Sequence, residues 1–271
     1  MTFHSGALVA ATNALRGRML RRAAIDAPMR GRMYQLLRAH FTGVSPEAFD
    51  DDLARKTAVI LLEDDDGVVR GFSTLLLYDT SVAGRELTIV YSGDTIVERR
   101  WWGSPTLART WIQGVRALTD SAAGSARQAP FRQSAIQPFT PPRDLYWMLL
   151  TSGFRTYRFL PVFYRSFYPC FDQETPADVQ ATIDAIATAQ FGPQYVADAG
   201  VVRFARPQVL APDLLGVPPG RDLDPHVRFF LARNPGHVNG DELVCLTRIH
   251  EDNLTPAGRR MMRPASFGER P

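Results

Sequence analysis

The chain has 271 residues, of which 45% are hydrophobic and 22% charged, with a formal net charge of +3 and a pI near 9.1. This is the composition of an ordinary globular protein, long enough for one domain of about 150 residues and an extension. No apolar run of about 18 residues predicts a membrane span, and the N-terminus does not resemble a secretory signal, so a cytoplasmic protein is expected.

The first third of the chain is predicted to form helices followed by a β-hairpin. Turn chemistry at Asp65-Asp66-Gly67 separates the two strands of that hairpin. The predicted elements are an N-terminal helical segment over 1–24, helices over Met29–His40 and Pro46–Arg55, and strands over Ala58–Leu62 and Val68–Tyr78.

The most informative stretch runs from Glu86 to Leu118, where a strand gives way to an amphipathic helix. Gly93 interrupts the strand, and a bulge or the close approach of another backbone is expected there. Ser104 can cap the helix, and Pro105 at its first position sacrifices no intrahelical hydrogen bond. Because a helix N-terminus presents free amides and a positive dipole end, this junction predicts an anion site.

The remaining pattern predicts further strands and helices up to a boundary at Tyr168-Pro169 and beyond it. Helical periodicity favours a helix after Thr175 as cap, ending at Gly192, and another starting at Asp224. The other predicted elements are a strand near Ser134–Phe139, a helix over Asp144–Ser152, a β-rich run over Thr156–Phe167, strands over Gly200–Ala205 and Glu242–Ile249, and a flexible tail from Pro256.

The residues Arg100-x-x-Gly103 resemble the first four positions of the acyl-CoA motif of the GNAT superfamily of N-acyltransferases. The order of predicted elements is similar to that of the family over roughly half of the chain. Three positions depart from its pattern: Pro105 stands for Gly or Ala, Leu149 for Tyr and Pro142 for Asn.

The resemblance implies an α/β (α+β) fold, with a central mixed, mostly antiparallel sheet flanked by helices. The implied divisions are a core over 25–169, a C-terminal α/β extension over 170–255 packed on that core, and a tail over 256–271.

The resemblance also implies an N-acyltransferase that moves an acyl group from an acyl-CoA or acyl carrier protein thioester to an amine of a small molecule or peptide. No tightly bound cofactor is implied. The thioester is expected between two splayed strands, with its carbonyl facing the amides of Thr95, Ile96 and Val97. The donor's diphosphate is expected on further amides, with an arginine adding charge; these residues are Trp102, Gly103, Ser104, Thr106, and Arg99 or Arg100.

Two carboxylates are candidate bases for the ammonium proton, and one phenol is a candidate acid for the thiolate. Asp94 lies nearest the expected reaction centre, although a bulge residue bonding its own backbone is an equally good interpretation. For Glu98, a surface salt bridge is the simpler alternative. Tyr146 lies one helical turn before Leu149 in the predicted helix and is the candidate acid.

The aromatic run over 157–168 suggests either the wall of a long-chain acyl pocket or the interface with the C-terminal extension. The second class of function is a non-catalytic acyl-thioester-binding or protein-binding module, which the departures at Pro105, Pro142 and Leu149 motivate. The acceptor and the oligomeric state stay open.

Other site chemistries are not supported by the sequence. The histidines have no ligand spacing for a metal, the scattered arginines accompany no nucleic-acid-binding signature, and no Gly-x-Ser-x-Gly elbow occurs. Cys170 and Cys245 are expected to be reduced and structural, although a disulfide between them is the alternative.

Overall fold

A computed structural model describes residues 14–124 and 144–263, without the side chains of 119–124. The strand predicted near Ser134–Phe139, and Pro142, lie outside the described residues. The helices are α1 (Ala27–His40), α2 (Pro46–Ala54), α3 (Thr106–Gly124), α4 (Phe154–Tyr157), α5 (Phe159–Phe163), α6 (Ala177–Phe191), α7 (Pro212–Leu215), α8 (Pro225–Arg233) and α9 (Pro256–Met262). The strands are β1 (Arg16–Arg21), β2 (Phe41–Thr42), β3 (Ala58–Glu63), β4 (Val69–Val82), β5 (Arg85–Val97), β6 (Asp144–Thr151), β7 (Tyr195–Val196), β8 (Val201–Val202), β9 (Val209–Leu210) and β10 (Glu242–Arg248).

Eight strands form one sheet in the order β1-β3-β4-β5-β6-β10-β8-β7, and β2 pairs with β9 separately. Every neighbouring pair in the large sheet is antiparallel except β5 and β6, which are parallel. The predicted mixed, mostly antiparallel sheet flanked by helices is therefore confirmed. The C-terminal strands β10, β8 and β7 continue this sheet beyond β6.

Helices cover both faces of the sheet. On one side, called here the α3 face, Trp111 packs with Val90 and Leu149. On the other side, called the α6 face, Ile183 packs with Tyr91 and Leu150. Strand alternation explains why neighbouring residues of β5 and β6 join different clusters. Helices α1 and α2 also cover the α6 face. They pack on Phe72 of β4, which points to the same side of the sheet as Leu76 of β4, and Leu76 packs with the α6 cluster.

The predicted helix over Asp144–Ser152 is wrong, because this segment is strand β6. Its residues Met148, Leu149 and Leu150 are buried on both faces between β5 and β10. A strand buried on both faces has an uninterrupted apolar run, which periodicity alone does not distinguish from a buried helix.

The predicted β-rich run over Thr156–Phe167 is also wrong, because α4 and α5 occupy most of it. Tyr157, Leu160, Tyr164 and Phe167 are buried at three- and four-residue intervals. This is helical spacing, which the dense aromatic content of the run obscures.

Three further expectations need correction. The described part of the N-terminal segment holds β1, which pairs with β3, rather than a helix. The predicted tail begins with α9, whose first turn is capped by the Thr255 hydroxyl accepting from the Gly258 N–H at 3.1 Å. Helix α6 ends at Gly192 as predicted, but Thr175 does not cap it, since Pro176 occupies the N-cap position.

Both cysteines are buried free thiols, as expected for structural residues. Within the described residues, no helix combines the length and the apolar character needed to cross a bilayer.

Candidate active site

Strands β5 and β6 separate before either of them ends. Their parallel pairing runs from Leu87 opposite Asp144 to Ser92 opposite Leu149, whereas β5 continues to Val97. The Ser92 hydroxyl oxygen accepts hydrogen bonds from two buried indoles, Trp147 at 2.9 Å and Trp111 at 3.3 Å. Beyond this anchored point, β5 N–H groups that point away from β4 have no neighbouring strand to bond.

A cavity of about 970 Å³ occupies the gap. Leu107 of α3 and Phe159 of α5 line it from the α3 face, and Lys56 and Phe191 line it from the α6 face. The cavity therefore reaches both faces of the sheet at the place where β5 and β6 part.

A β-bulge aims Asp94 toward the α6 side of this cavity. Thr74 of β4 lies opposite both Gly93 and Asp94, because the register shifts there by one residue. Without the extra residue, Tyr91 and Ile96 would face opposite sides; with it, both pack on the α6 face. Asp94, two residues before Ile96, faces the same side. The bulge predicted at Gly93 is confirmed.

The α6 side of the cavity holds a charged cluster. Lys56, the chain's only lysine, is 6% exposed. Its ammonium lies 2.9 Å from Asp52 and 4.9 Å from the centre of the Tyr91 ring. Asp94 and Glu242, both half-buried, line the same space.

Burial raises the pKa values of both carboxyl groups. The pKa of Asp94 is raised to about 7, chiefly by loss of solvent and then by the charge of Asp52, while Lys56 opposes the shift. The pKa of Glu242 is raised to about 8, chiefly by loss of solvent and then by the charge of Asp94. Carboxyl groups tuned to neutral pH in a cavity are typical of proton-transfer sites.

The mixed, mostly antiparallel sheet, the parallel pair that splays at a cavity, and the helix that follows β5 match what the sequence resemblance implies. The fold is GNAT-like.

Predicted donor-binding residues fall into two groups in this GNAT-like fold. Those that line the cavity are Thr95, Ile96, Val97, Trp102, Gly103 and Ser104; those that do not are Arg99, Arg100 and Thr106. The Trp102 and Ser104 N–H groups donate to the Arg99 and Trp101 carbonyls, and the Thr106 N–H donates to the Ser104 hydroxyl. The Gly103 N–H finds no acceptor among the described residues.

The start of α3 offers further amides. The Leu107 and Ala108 N–H groups belong to its first turn, which has no intrahelical acceptors, and both residues line the cavity. Pro105 precedes the helix, and its carbonyl accepts from the Arg109 N–H at 2.9 Å. Free amides therefore remain on both sides of the proline.

Arginines and Trp102 build the rim beside these amides. The Arg155 guanidinium lies 4.7 Å and that of Arg99 5.4 Å from the Trp102 ring, while the indole N–H donates to the Val97 carbonyl at 2.7 Å. Burial, and then the charge of Arg99, lowers the pKa of Arg155. Arg99 is also paired with Asp213 at 3.1 Å, and an anion at this rim would add a second negative charge beside the two guanidinium groups.

Two predicted catalytic residues lie away from the cavity. The Glu98 carboxylate forms salt bridges with three guanidinium groups, those of Arg32 at 2.5 Å, Arg100 at 3.3 Å and Arg70 at 3.4 Å. This is the salt-bridge role given above as the alternative to a catalytic base. Tyr146 lies near the start of β6, where its hydroxyl accepts from Arg85 at 3.3 Å. Because β6 is a strand, Tyr146 and Leu149 are not separated by one helical turn, and Tyr146 does not reach the site.

Sequence reasoning missed Glu242 and Lys56. Glu242 was read as the first residue of a strand in the extension, and no local motif connects it with Asp94. Lys56 carried one usable signal, since it is the single lysine in a chain whose Lys and Arg residues total 31.

Comparison with known proteins gives structural neighbours alone. No protein-family model and no curated protein sequence matches the chain. A GNAT family N-acetyltransferase from Escherichia coli in complex with CoA is 18% identical, with a TM-score of 0.34 over 90% of this chain and 87% of that one.

Two other solved structures are similar to parts of the chain. A protein of unknown function from Enterococcus faecalis V583, described as a probable N-acyltransferase, is 10% identical, with a TM-score of 0.39 over 57% of this chain and 33% of that one. An aminoglycoside acetyltransferase from an uncultured soil sample, in complex with sisomicin, is 15% identical, with a TM-score of 0.29 over 46% of this chain and 94% of that one. Because these values are low, the likeness to these three structures indicates no activity or substrate for this chain.

Proposed function

We propose that the protein is an N-acyltransferase that transfers an acyl group from a thioester donor, acyl-CoA or an acylated carrier protein, directly to an amine. The observation that carries this proposal is the cavity between the splayed β5 and β6, with Asp94 aimed into it by a bulge. Donor and acceptor can approach the gap from opposite faces of the sheet, because the cavity is open to both.

The donor belongs on the α3 face. Its diphosphate would lie against the Gly103, Leu107 and Ala108 amides, where a helix N-terminus favours negative charge. Arg155 and Arg99 flank the neighbouring Trp102 ring. Pro105 removes one amide from this set, so the arginines at the rim carry a larger share of the anion's binding.

The acyl chain belongs along α5. Phe159, Val162 and Phe163 line the cavity with Leu107 and Ala108. This apolar wall and the cavity volume support a donor with a long acyl chain. The other aromatic residues of the same run pack in the core, so part of the run fills the pocket wall and part holds the fold together.

The chemistry requires no covalent acyl-enzyme. Asp94, ionised, accepts a proton from the acceptor ammonium; the freed nitrogen lone pair then attacks the thioester carbonyl carbon. A β5 amide beyond Ser92 stabilises the oxyanion. The carbon–sulfur bond breaks with its electron pair on sulfur, which takes the second proton that the nitrogen loses as the amide forms.

The test is thiol release from acyl-CoA and acyl carrier protein donors, from acetyl to palmitoyl, with a panel of amines. Asp94→Asn should lower kcat by about 100-fold or more, as expected when a general base is removed. The matched control is Glu98→Gln, which removes a carboxylate outside the cavity and should leave kcat within a few-fold of the parent.

The alternative is a non-catalytic thioester-binding or protein-binding module. Absence of thiol release with every donor, together with unchanged donor binding in the Asp94→Asn variant, would establish that alternative and overturn the transfer reaction.

A further inference from the structure

Glu242 and Asp94 flank the end of β6 on the same face of the sheet. Leu149 of β6 pairs with Ser92 of β5 on one side and with Cys245 of β10 on the other. Asp94 on β5 and Glu242 on β10 therefore lie beside the last residues of β6, on the two strands that neighbour it. Glu242 shares its parity with Val244, which packs on the α6 face, so the two carboxylates converge beneath that face.

Neither carboxylate has a cation of its own. Lys56 is already paired with Asp52 at 2.9 Å, and its charge only partly offsets the effects that raise the pKa values of Asp94 and Glu242. Within the described residues, Asp94 and Glu242 form no salt bridge. Half-buried carboxylates are normally paired, so this side of the cavity lacks two positive charges when both groups are ionised.

A buried hydroxyl next to the cluster is also unpartnered. Thr74 is 1% exposed, and its Oγ1 finds no hydrogen-bond partner among the described residues. It lies against the bulge: a Cβ built on Gly93 would be 2.6 Å from Thr74 Oγ1 and 2.8 Å from Lys56 Nζ. The Thr74 hydroxyl and the two carboxylates therefore all lack a hydrogen-bond or ion-pair partner among the described residues.

We propose that Asp94 and Glu242 together bind an acceptor with two cationic nitrogens, Asp94 receiving the nitrogen that is acylated and Glu242 holding the second. The inference rests on the proposed acyl transfer and names the acceptor class, a small aliphatic diamine or a compound containing one. Glu242 binds the substrate directly in this arrangement. Asp94 lies nearer the splay and takes the proton, because β5 borders the gap and β10 does not.

The second ammonium stays protonated throughout the reaction. No bond to this nitrogen forms or breaks, and its positive charge keeps the Glu242 carboxylate ionised. The first ammonium gives one proton to Asp94 and one to the leaving sulfur, as in the transfer step above. With pKa values of about 7 for Asp94 and about 8 for Glu242, the free pair holds between one and two protons at pH 7, which a bound dication must displace.

Binding of the dication can be measured without any donor. Calorimetry of 1,4-diaminobutane, n-butylamine and 1-butanol at pH 7, in buffers of different ionisation enthalpy, gives both affinity and proton release. We expect the diamine to bind at least about tenfold more tightly than the monoamine and to release between one and two protons. The alcohol should not bind.

The variants are Glu242→Gln, Glu242→Asp and, as a matched control, Glu47→Gln, an exposed residue of α2. Glu242→Gln should bind the two amines equally and release fewer protons, Glu242→Asp should retain the diamine preference, and Glu47→Gln should match the parent. Equal binding of both amines by the parent, or an unchanged preference in a folded Glu242→Gln variant, would overturn the proposal.

This experiment separates the two proposals. Selective diamine binding that depends on Glu242, without thiol release from any donor, keeps the dication site and overturns acyl transfer. Thiol release with monoamines and diamines at equal kcat/KM keeps acyl transfer and overturns the dication site.

Discussion

Asp94 occupies its position because Gly93 has no side chain. Any Cβ at Gly93 would collide with the Thr74 hydroxyl and the Lys56 ammonium, both of which are held inside the fold. The glycine therefore sets both the bulge and the packing of the charged cluster over it.

Gly93→Ala should weaken both stability and activity. The new methyl must displace Lys56 or Thr74, and overpacking of this kind costs about 1–3 kcal/mol. We expect a lower melting temperature and a kcat reduced at least about tenfold, measured by thermal denaturation and thiol release. The control is Gly31→Ala in α1, where a Cβ meets no atom within 4 Å and should leave activity unchanged. A fully active Gly93→Ala variant would contradict this account of the bulge.

At the level of elements, the sequence predicted best where apolar periodicity and turn chemistry agree. Helices α1 and α2 and strand β3 match their predicted bounds to within two residues, β5 begins one residue before the predicted Glu86, and α8 follows its predicted Asp224 cap. Strand β4 runs to Val82, four residues past its predicted end. The strand-to-helix junction at Ser104 was also predicted, and the Ser104 hydroxyl accepts from the Thr106 N–H at 3.3 Å. Pro105, however, precedes the helix, which begins at Thr106, and does not occupy its first position.

Failures occurred where tertiary context determines local structure. The Trp147–Leu150 stretch of β6 is an unbroken apolar run because β6 lies inside the sheet between β5 and β10, and neither neighbour is adjacent to it in sequence. The same long-range pairing brings Glu242 to Asp94. Glu242, one of the two carboxylates of the proposed acceptor site, therefore cannot be predicted from a local sequence pattern.

Helix α5 provides a test of donor length. Val162 is 38% exposed and lines the cavity, so the larger side chain in Val162→Trp should occupy part of the cavity next to α5. We expect kcat/KM to fall about tenfold for palmitoyl donors and to change little for acetyl donors, measured by thiol release. The matched control is Val238→Trp, at a residue of similar exposure outside the cavity lining. Equal loss for all chain lengths would contradict an acyl site along α5.

On the scale of the whole molecule, the C-terminal part supplies strands to the sheet and a carboxylate to the cavity. Strand β10 pairs with β6 from Leu243 opposite Thr151 to Arg248 opposite Tyr146. Folding of the chain therefore brings two weak acids into one buried space, and global stability should depend on pH.

The expected sign follows from the raised pKa values of Asp94, about 7, and Glu242, about 8. Both groups bind protons more tightly in the folded than in the unfolded state, so their contribution to stability is lost as pH rises from about 4 to about 8. Urea denaturation should give a lower free energy of unfolding at pH 9 than at pH 5. The double variant Asp94→Asn, Glu242→Gln should flatten this difference; an equally steep dependence in that variant would contradict the assignment.

The single lysine has a practical consequence for the proposed acyl transfer. Thioesters acylate side-chain amines spontaneously, and this chain offers them just one, held against Asp52 and Tyr91. Because the Lys56 side chain is 2% exposed and its ammonium is paired with Asp52, acylation of this residue by a thioester should stay slow, which mass spectrometry after incubation with acyl-CoA would test.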